Sequence, residues 1–292
     1  MKRLALTMVL LLAFPAAADL QKGRAAFEAD DFEAAESAFK PDADGGNAEG
    51  EYWMGRVRDA RSDPAGAYQW FLKAANRGHA EAQRSVGVLL EEARGVARNE
   101  VKAAEWYRKS ADQGNDKAQR NLANFHRDGR GGLKQDPAEA LRWYEAAAKQ
   151  GNPKASRSLA YMYYFGDGTR QDLARAAQLF AAASDDGLAA AHFDLGRLYY
   201  RGQGVERDFQ RAAELFEQAA RSGYGKAQLW LGRMYFTGEG VAKNEAEAYF
   251  WLTLAEAQEP EGARHFLARL DRSLPEAGRK AAKERAKQFD PK

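Results

Sequence analysis

Apolar residues recur at helical spacing along most of the chain. In AAHFDLGRLYYRG, residues 190–202, one helical face carries Ala191, Leu195, Leu198 and Tyr199. The next apolar stripe carries Ala212, Leu215, Phe216 and Ala219. Gly202 lies where a helix can end in a left-handed turn, and Asp208 is placed to accept hydrogen bonds from the free N–H groups that open the second helix. The pattern predicts a pair of helices joined by a short loop.

This helix pair is a repeat with a period of 36 or 37 residues. The loop YYRGQGVERD, residues 199–208, returns as YYFGDGTRQD at 163–172 and as YFTGEGVAKN at 235–244. A large apolar column, which we expect to pack between repeats, contains Trp70, Trp106, Trp143, Leu179, Leu215 and Trp251. A capping column contains Asp63, Asn99, Asp136, Asp172, Asp208 and Asn244. A small column, which would let helices cross closely, contains Gly55, Gly87, Ala123, Ala160, Gly196 and Gly232.

Glycine marks two further places in each unit. Most units end on a glycine that turns the chain: Gly78, Gly114, Gly151, Gly187 and Gly223. The Gly-x-Gly of the loop resembles part of a phosphate-binding fingerprint. No hydrophobic strand precedes it, however, as a dinucleotide site would require. The sequence therefore predicts a structural bend between helices at Gly-x-Gly.

The repeat unit resembles a known family. The segments KAQLWLGRMYFTGEGVAKNEAEAYFWLTLA, residues 226–255, and AAHFDLGRLYYRGQGVERDFQRAAELFEQAARSG, residues 190–223, are similar to Sel1-like repeats, relatives of the tetratricopeptide repeat. The resemblance implies an all-α fold, an α/α superhelical solenoid of helix-turn-helix repeats. We place six repeats at about 47–79, 80–115, 116–152, 153–188, 189–224 and 225–259. The first is short in its loop, and Ala93-Arg94-Gly95 keeps one glycine of the pair.

The two ends of the chain differ from the repeats. Residues 1–18 combine Lys2 and Arg3, an apolar run and an A-x-A site before Asp19, which predicts a cleavable signal peptide and a periplasmic or secreted protein. Residues 19–46 are similar to a tetratricopeptide-like capping hairpin with its turn at Asp30-Asp31. Residues 260–292 predict C-terminal capping helices, the second opened by a capping box at Ser273.

Charge and composition narrow the classes of partner. The chain has 44 Lys and Arg against 42 Asp and Glu, and removal of Lys2 and Arg3 leaves 42 of each. A neutral mature protein lacks the charge expected of a nucleic-acid or anionic-membrane binder. The apolar run in residues 1–18 is too short for a membrane span. The chain has no cysteine, which excludes disulfides, thiolate metal sites and a lipid-modified cysteine.

Few residues suggest catalysis. The four histidines lie in separate units without zinc-site spacing, so we predict no metal and no cofactor. Ser37-Ala38-Phe39-Lys40 matches S-x-x-K, yet no S-D-N or K-T-G accompanies it. We expect that match to be accidental and the protein to be no enzyme.

A binding surface is the stronger prediction, because a solenoid presents a long concave face built from the first helix of each hairpin. Aromatic and arginine side chains, Phe165 among them, occupy the variable positions of this face in the last three repeats. The predicted partner-binding residues are Tyr161, Tyr164, Phe193, Arg197, Tyr200, Trp230, Arg233 and Phe236. The alternative is that several of them only pack between repeats.

The family resemblance implies a function. It favours a non-enzymatic periplasmic scaffold or adaptor for protein–protein interaction that regulates an envelope signalling or assembly system. Its partner would be another envelope protein or a peptide segment. The alternative is a peptidoglycan- or β-lactam-binding or hydrolysing Sel1-type protein. The relatives linked to penicillin binding are rich in cysteine, whereas this chain has none.

Overall fold

A computed structural model describes residues 15–291, and within that range the chain is built from helices. The predicted signal peptide lies outside the described residues except for 15–18, which begin the first helix. The helices are α1 (Pro15–Glu28), α2 (Phe32–Asp44), α3 (Ala48–Ala60), α4 (Pro64–Asn76), α5 (Ala80–Glu92), α6 (Glu100–Asp112), α7 (Asp116–Asp128), α8 (Pro137–Lys149), α9 (Pro153–Phe165), α10 (Leu173–Asp185), α11 (Ala189–Arg201), α12 (Phe209–Arg221), α13 (Gly225–Thr237), α14 (Glu245–Ala255), α15 (Pro260–Ser273) and α16 (Glu276–Lys287). None of these helices is both long and apolar enough to cross a bilayer.

The described helices form two compact units. Unit 1 contains residues 15–125 and Gly129–Lys134, and unit 2 contains His126–Asp128 and residues 135–291. Within each unit, helices that follow one another along the chain pack against each other, as α3 packs on α4 and α11 on α12. Five of the repeats predicted from the sequence are therefore helix hairpins within one unit, with α3 and α5 as first helices in unit 1 and α9, α11 and α13 as first helices in unit 2.

The capping column is confirmed at each of its positions. Asp208 Oδ1 accepts a hydrogen bond from the N–H of Arg211 at 2.9 Å, and Asp172 accepts from Arg175 at 2.8 Å. Asp63, Asn99, Asp136 and Asn244 cap α4, α6, α8 and α14 in the same way. Each cap satisfies N–H groups that would otherwise lack a partner at the helix start.

The Gly-x-Gly loop is a structural bend, as predicted. Its first glycine ends the first helix in a left-handed conformation, with φ of +67° at Gly202. Ala93 takes the same conformation, with φ of +56°, where the second repeat lacks this glycine. The second glycine has another role, because a methyl group on Gly204 would overlap the backbone of Leu173 at the start of α10. The loop thus lies against the second helix of the preceding repeat.

In the first three repeats the core column lies one residue later than the sequence predicted. Trp70, Trp106 and Trp143 are only partly buried, whereas the residues that follow them are almost fully buried. The buried column is Phe71, Tyr107, Tyr144, Phe180, Phe216 and Leu252. The predicted residues Leu179, Leu215 and Trp251 are buried as well, so the prediction is wrong for the first three repeats only. A constant period cannot distinguish two adjacent columns.

The small column makes room for this core. A methyl group on Gly55 would lie 2.5 Å from the ring of Phe71, and one on Gly196 would lie 2.8 Å from the ring of Phe216. The small residue of the first helix therefore receives the large side chain of the second helix. The N-terminal hairpin uses the same arrangement, because a methyl group on Gly23 would overlap the ring of Phe39.

The C-terminal helices extend unit 2. α15 and α16 both pack against α14, and Phe289 covers the ring of Trp251 at 5.9 Å. This cover explains why Trp251 is buried while the tryptophans of the earlier repeats are not. The capping box predicted at Ser273 was wrong, because Ser273 ends α15 and its hydroxyl donates to Glu245 Oε2 at 2.8 Å.

Candidate functional site

The eight residues predicted to bind a partner lie on three first helices of unit 2. α9 carries Tyr161 and Tyr164, α11 carries the next three, and α13 carries Trp230, Arg233 and Phe236. The α11 residues Phe193, Arg197 and Tyr200 follow a spacing of four and three, which places them along one helical face. We call the eight residues together the aromatic–arginine surface.

A buried carboxylate joins α9 to α11 beneath this surface. Asp194 is 3% exposed, and its Oδ1 accepts a hydrogen bond from the Tyr161 hydroxyl at 2.6 Å. Its Oδ2 accepts from Arg157 Nε at 2.6 Å, and Arg197 lies 3.8 Å from Oδ1. Burial raises the pKa of Asp194, and the two donors and Arg197 oppose that rise. The carboxylate therefore holds Tyr161 and Arg197 in place.

Sequence reasoning missed Asp194 and Arg157. The sequence did offer a signal, because Asp194 is an acid inside the apolar segment AAHFDLG, close to the small column. A carboxylate that is buried there needs a charged or hydrogen-bonding partner. Its partners Arg157 and Tyr161 lie about one repeat earlier on α9. The repeat period was visible in the sequence, but the contact between these three side chains was not.

A second cluster joins α11 to α13. The Tyr200 hydroxyl donates to Glu239 Oε2 at 2.9 Å and accepts from Arg233 at 3.0 Å. The Arg233 guanidinium also lies over the ring of Trp230, 5.2 Å from its centroid. Burial raises the pKa of the Tyr200 hydroxyl, and its hydrogen bond to Glu239 adds to the rise. These contacts hold the two rings and the guanidinium in one arrangement.

Two of the predicted residues pack against rings of other helices, one of them buried and the other partly exposed. Phe193 is 4% exposed and contacts the rings of Phe216 and Tyr224, so it supports the surface from below. Phe236 lies edge-on to Phe266 of α15 at 5.6 Å. The alternative of inter-repeat packing therefore describes Phe193, and α15 covers part of the Phe236 ring.

The most exposed large apolar residue described on these helices is Phe165. Its side chain is 68% exposed at the end of α9, and it stacks on Tyr161 with ring planes 9° apart. Tyr164 contacts it edge-on at 4.9 Å and donates its hydroxyl to Gln203 at 3.0 Å. Phe165 therefore extends the aromatic–arginine surface into solvent and is held by ring contacts on two sides.

Two of the four histidines make contacts that stabilise the helices. His79 Nδ1 caps α5 by accepting from the N–H of Ala82, and His192 Nδ1 bonds the Ser184 hydroxyl. Burial lowers the pKa of His192. In three other repeats a glutamine occupies the position of His192. Its side-chain amide donates to the backbone carbonyl eight residues earlier, and these residues are Gln83, Gln119 and Gln228. Within residues 15–291, no group of three or more His, Asp and Glu side chains is arranged to hold a metal ion.

The S-x-x-K match lies on α2, away from any arrangement that would activate a serine. Phe39, between Ser37 and Lys40, is fully buried in the core of unit 1. The Lys40 ammonium pairs with Asp44 at 3.0 Å, and both side chains are more than half exposed. A lysine whose ammonium is solvated and paired with a carboxylate is poorly placed to act as a base for Ser37.

Helix hairpins with recurring caps, glycines and core positions define an α/α repeat protein. The family model for the Sel1 repeat matches residues 48–79, 80–115, 116–152, 153–188, 189–224 and 225–259. The chain belongs to the Sel1 repeat family, whose members are generally non-enzymatic scaffolds for protein–protein interaction. The all-α solenoid class predicted from the sequence is thereby confirmed.

Solved structures agree with this assignment. A Sel1 repeat protein from Oxalobacter formigenes is 30% identical with a TM-score of 0.74, covering 82% of this chain and 98% of that chain. The protective antigen c5321 from uropathogenic Escherichia coli, which displays an SLR fold, is 25% identical with a TM-score of 0.63, covering 94% and 68%. A chain of the APC/C hetero-tetramer Cut9–Hcn1, 14% identical with a TM-score of 0.55 and covering 87% and 52%, shows the fold alone. The curated proteins gave no match.

Proposed function

We propose that this protein is a non-enzymatic scaffold of the periplasm that binds another envelope protein, or a peptide segment of one, through the aromatic–arginine surface and Phe165. The observation that carries the proposal is the exposure of Phe165 beside aromatic and arginine side chains that are fixed by internal contacts. Through such binding the protein would regulate an envelope signalling or assembly system.

The composition of the surface supports this proposal. Tyrosine, tryptophan and arginine are the residues that most often dominate the binding energy of protein interfaces. Complete burial of a side chain such as that of Phe165 contributes about 1.5 to 3 kcal/mol. Hydrogen bonds already restrain the side chains of Tyr164, Tyr200 and Arg233. Partner binding would therefore cost little side-chain entropy at these positions.

The location rests on residues 1–18. Their basic start, apolar run and A-x-A site favour export by a cleavable signal peptide. Fusion of residues 1–30 to alkaline phosphatase, which is active only after export, tests this part. Activity of the fusion, and a mature N-terminus at Asp19, are expected. An inactive fusion would place the scaffold in another compartment and leave the surface to be tested there.

Photocrosslinking in the cell tests the binding surface. A photoreactive amino acid replaces Phe165 on the surface or, as a matched control, Gln178, which is exposed on the second helix α10 of the same repeat. We expect one dominant envelope protein to be captured from position 165 and lost from position 178. Equal capture from both positions, or no discrete protein adduct from position 165, would contradict the proposal.

A further inference from the structure

The dipeptide Gly-Arg occurs at the same repeat position in three first helices: Gly55-Arg56, Gly196-Arg197 and Gly232-Arg233. In each case the guanidinium lies over an aromatic ring of its own helix. The distances to the ring centroids are 5.4 Å for Arg56 over Trp53, 5.8 Å for Arg197 over Phe193 and 5.2 Å for Arg233 over Trp230. An arginine backed by a ring is thus a recurring feature of this fold position.

The three arginines differ in their carboxylate partners. Arg197 lies 3.8 Å from Asp194, and Arg233 lies 4.0 Å from Glu239. Arg56 donates to the Tyr52 hydroxyl at 3.2 Å and also faces the ring of Phe27 at 5.1 Å. Among residues 15–291, no carboxylate lies within ion-pair distance of its guanidinium. In the last two repeats a carboxylate lies beside the arginine at this position, and in the first repeat the described residues 15–291 supply none.

Arg56 lines a cleft of unit 1 with an excess of positive charge. The charged residues of the cleft are Arg56, Asp59, Glu81, Arg84, Arg94 and Lys117. Both acids are already paired, Glu81 with Arg84 at 2.9 Å and Asp59 with Arg94. Lys117 is exposed, and the nearby Glu81 already has its partner in Arg84. The cleft therefore carries two positive charges, Arg56 and Lys117, beyond its internal pairs.

The rest of the cleft suits a peptide. The buried Phe71 and Leu89 line it beside these charges, and Val88 is partly exposed. An extended segment could place an apolar side chain against Val88 and a carboxylate on Arg56. The fork of a guanidinium matches a carboxylate with two parallel hydrogen bonds, and the ring contacts of Arg56 hold that fork in place.

We propose that this cleft binds an acidic segment of a protein partner, with the side-chain carboxylate of a glutamate or aspartate on Arg56. The proposal rests on the proposed function only in taking the ligand to be a protein. It does not depend on the aromatic–arginine surface, which lies in the other unit.

Fluorescence anisotropy with defined peptides tests the cleft. The probe is a fluorescein-labelled, C-terminally amidated octapeptide, Ser-Glu-Glu-Leu-Glu-Glu-Leu-Ser, and its match has glutamine in place of each glutamate. We expect the acidic probe to bind the purified protein at least about tenfold more tightly than the glutamine probe, and binding to weaken as salt is raised. Equal binding of the two probes would overturn the proposal, and so would equally tight binding of a single-stranded oligonucleotide.

Variants locate the site. Arg56→Gln is expected to weaken binding of the acidic probe about tenfold, while Lys102→Gln, an equal loss of charge on the exposed part of α6, changes it less than about twofold. If Arg56→Gln lowers the melting temperature, Lys117→Gln serves as a second variant. It is expected to weaken binding of the acidic probe about threefold. Phe165→Ser is expected to leave binding of the acidic probe unchanged. Equal effects of Arg56→Gln and Lys102→Gln, with Lys117→Gln like the wild type, would overturn the assignment.

Discussion

Two adjacent residues, Trp106 and Tyr107, should respond oppositely to truncation. Tyr107 is fully buried and its ring lies against Gly87, so Tyr107→Ala removes a core ring and leaves a cavity. We expect a loss of roughly 3 to 5 kcal/mol in the free energy of unfolding. Trp106 is only partly buried, with the Lys109 ammonium 4.2 Å from its ring centroid. Trp106→Ala should therefore cost about 1 to 2 kcal/mol, from partial burial and one cation–π contact.

Urea unfolding followed by far-ultraviolet circular dichroism measures both losses. The midpoint and the slope are compared together, because a repeat protein can unfold in parts and then lose two-state behaviour. Tyr107→Phe is the matched control: it keeps the ring but loses the hydroxyl that donates to Glu91 at 2.6 Å, so it should cost about 1 to 2 kcal/mol. A Trp106→Ala variant that is destabilised as much as Tyr107→Ala would refute the buried register described above.

Three further predictions concern single positions. Gly204→Ala should cost about 1 to 3 kcal/mol in urea unfolding, because φ is +72° and the methyl group would overlap the backbone of Leu173; an unchanged midpoint would contradict this packing. Asp208→Ala should cost about 1 kcal/mol by loss of the cap of α12, and an equal effect of Asp208→Asn, which can still cap, would count against that reason. Burial lowers the pKa of His192, so the folded protein binds fewer protons there than the unfolded chain, and stability should fall as the pH drops below about 6.5. Melting curves from pH 7 to pH 5 should show a smaller loss for His192→Gln; parallel losses would exclude His192 as the cause.

Much of this fold could be predicted from the sequence, because each repeated position has one dominant physical cause. A cap such as Asp208 needs a short oxygen-bearing side chain, and a left-handed turn such as Gly202 favours glycine. The core register could not be predicted in the same way. Trp106 and Tyr107 are both aromatic and share one period, and the contact of the Tyr107 ring with Gly87 is visible only in the structure.

Less of the candidate site could be predicted. The aromatic and arginine character of the first helices was visible in the sequence, and the structure brings most of these residues into contact across neighbouring repeats. The burial of Phe193 and the exposure of Phe165 depend on which faces the next helix covers. The pairing of Asp194 with Arg157 depends on the distance between two helices that are separate in sequence. Neither property is encoded in the repeat pattern itself.

The central claim is that the exposed end of α9 is a contact site for a protein partner. The most direct test is titration calorimetry of the protein captured from position 165, with wild type, Phe165→Ser and the matched control Gln178→Ser. We predict that Phe165→Ser weakens binding at least about tenfold at an unchanged melting temperature, while Gln178→Ser binds like the wild type. Binding of Phe165→Ser with wild-type affinity would contradict the account.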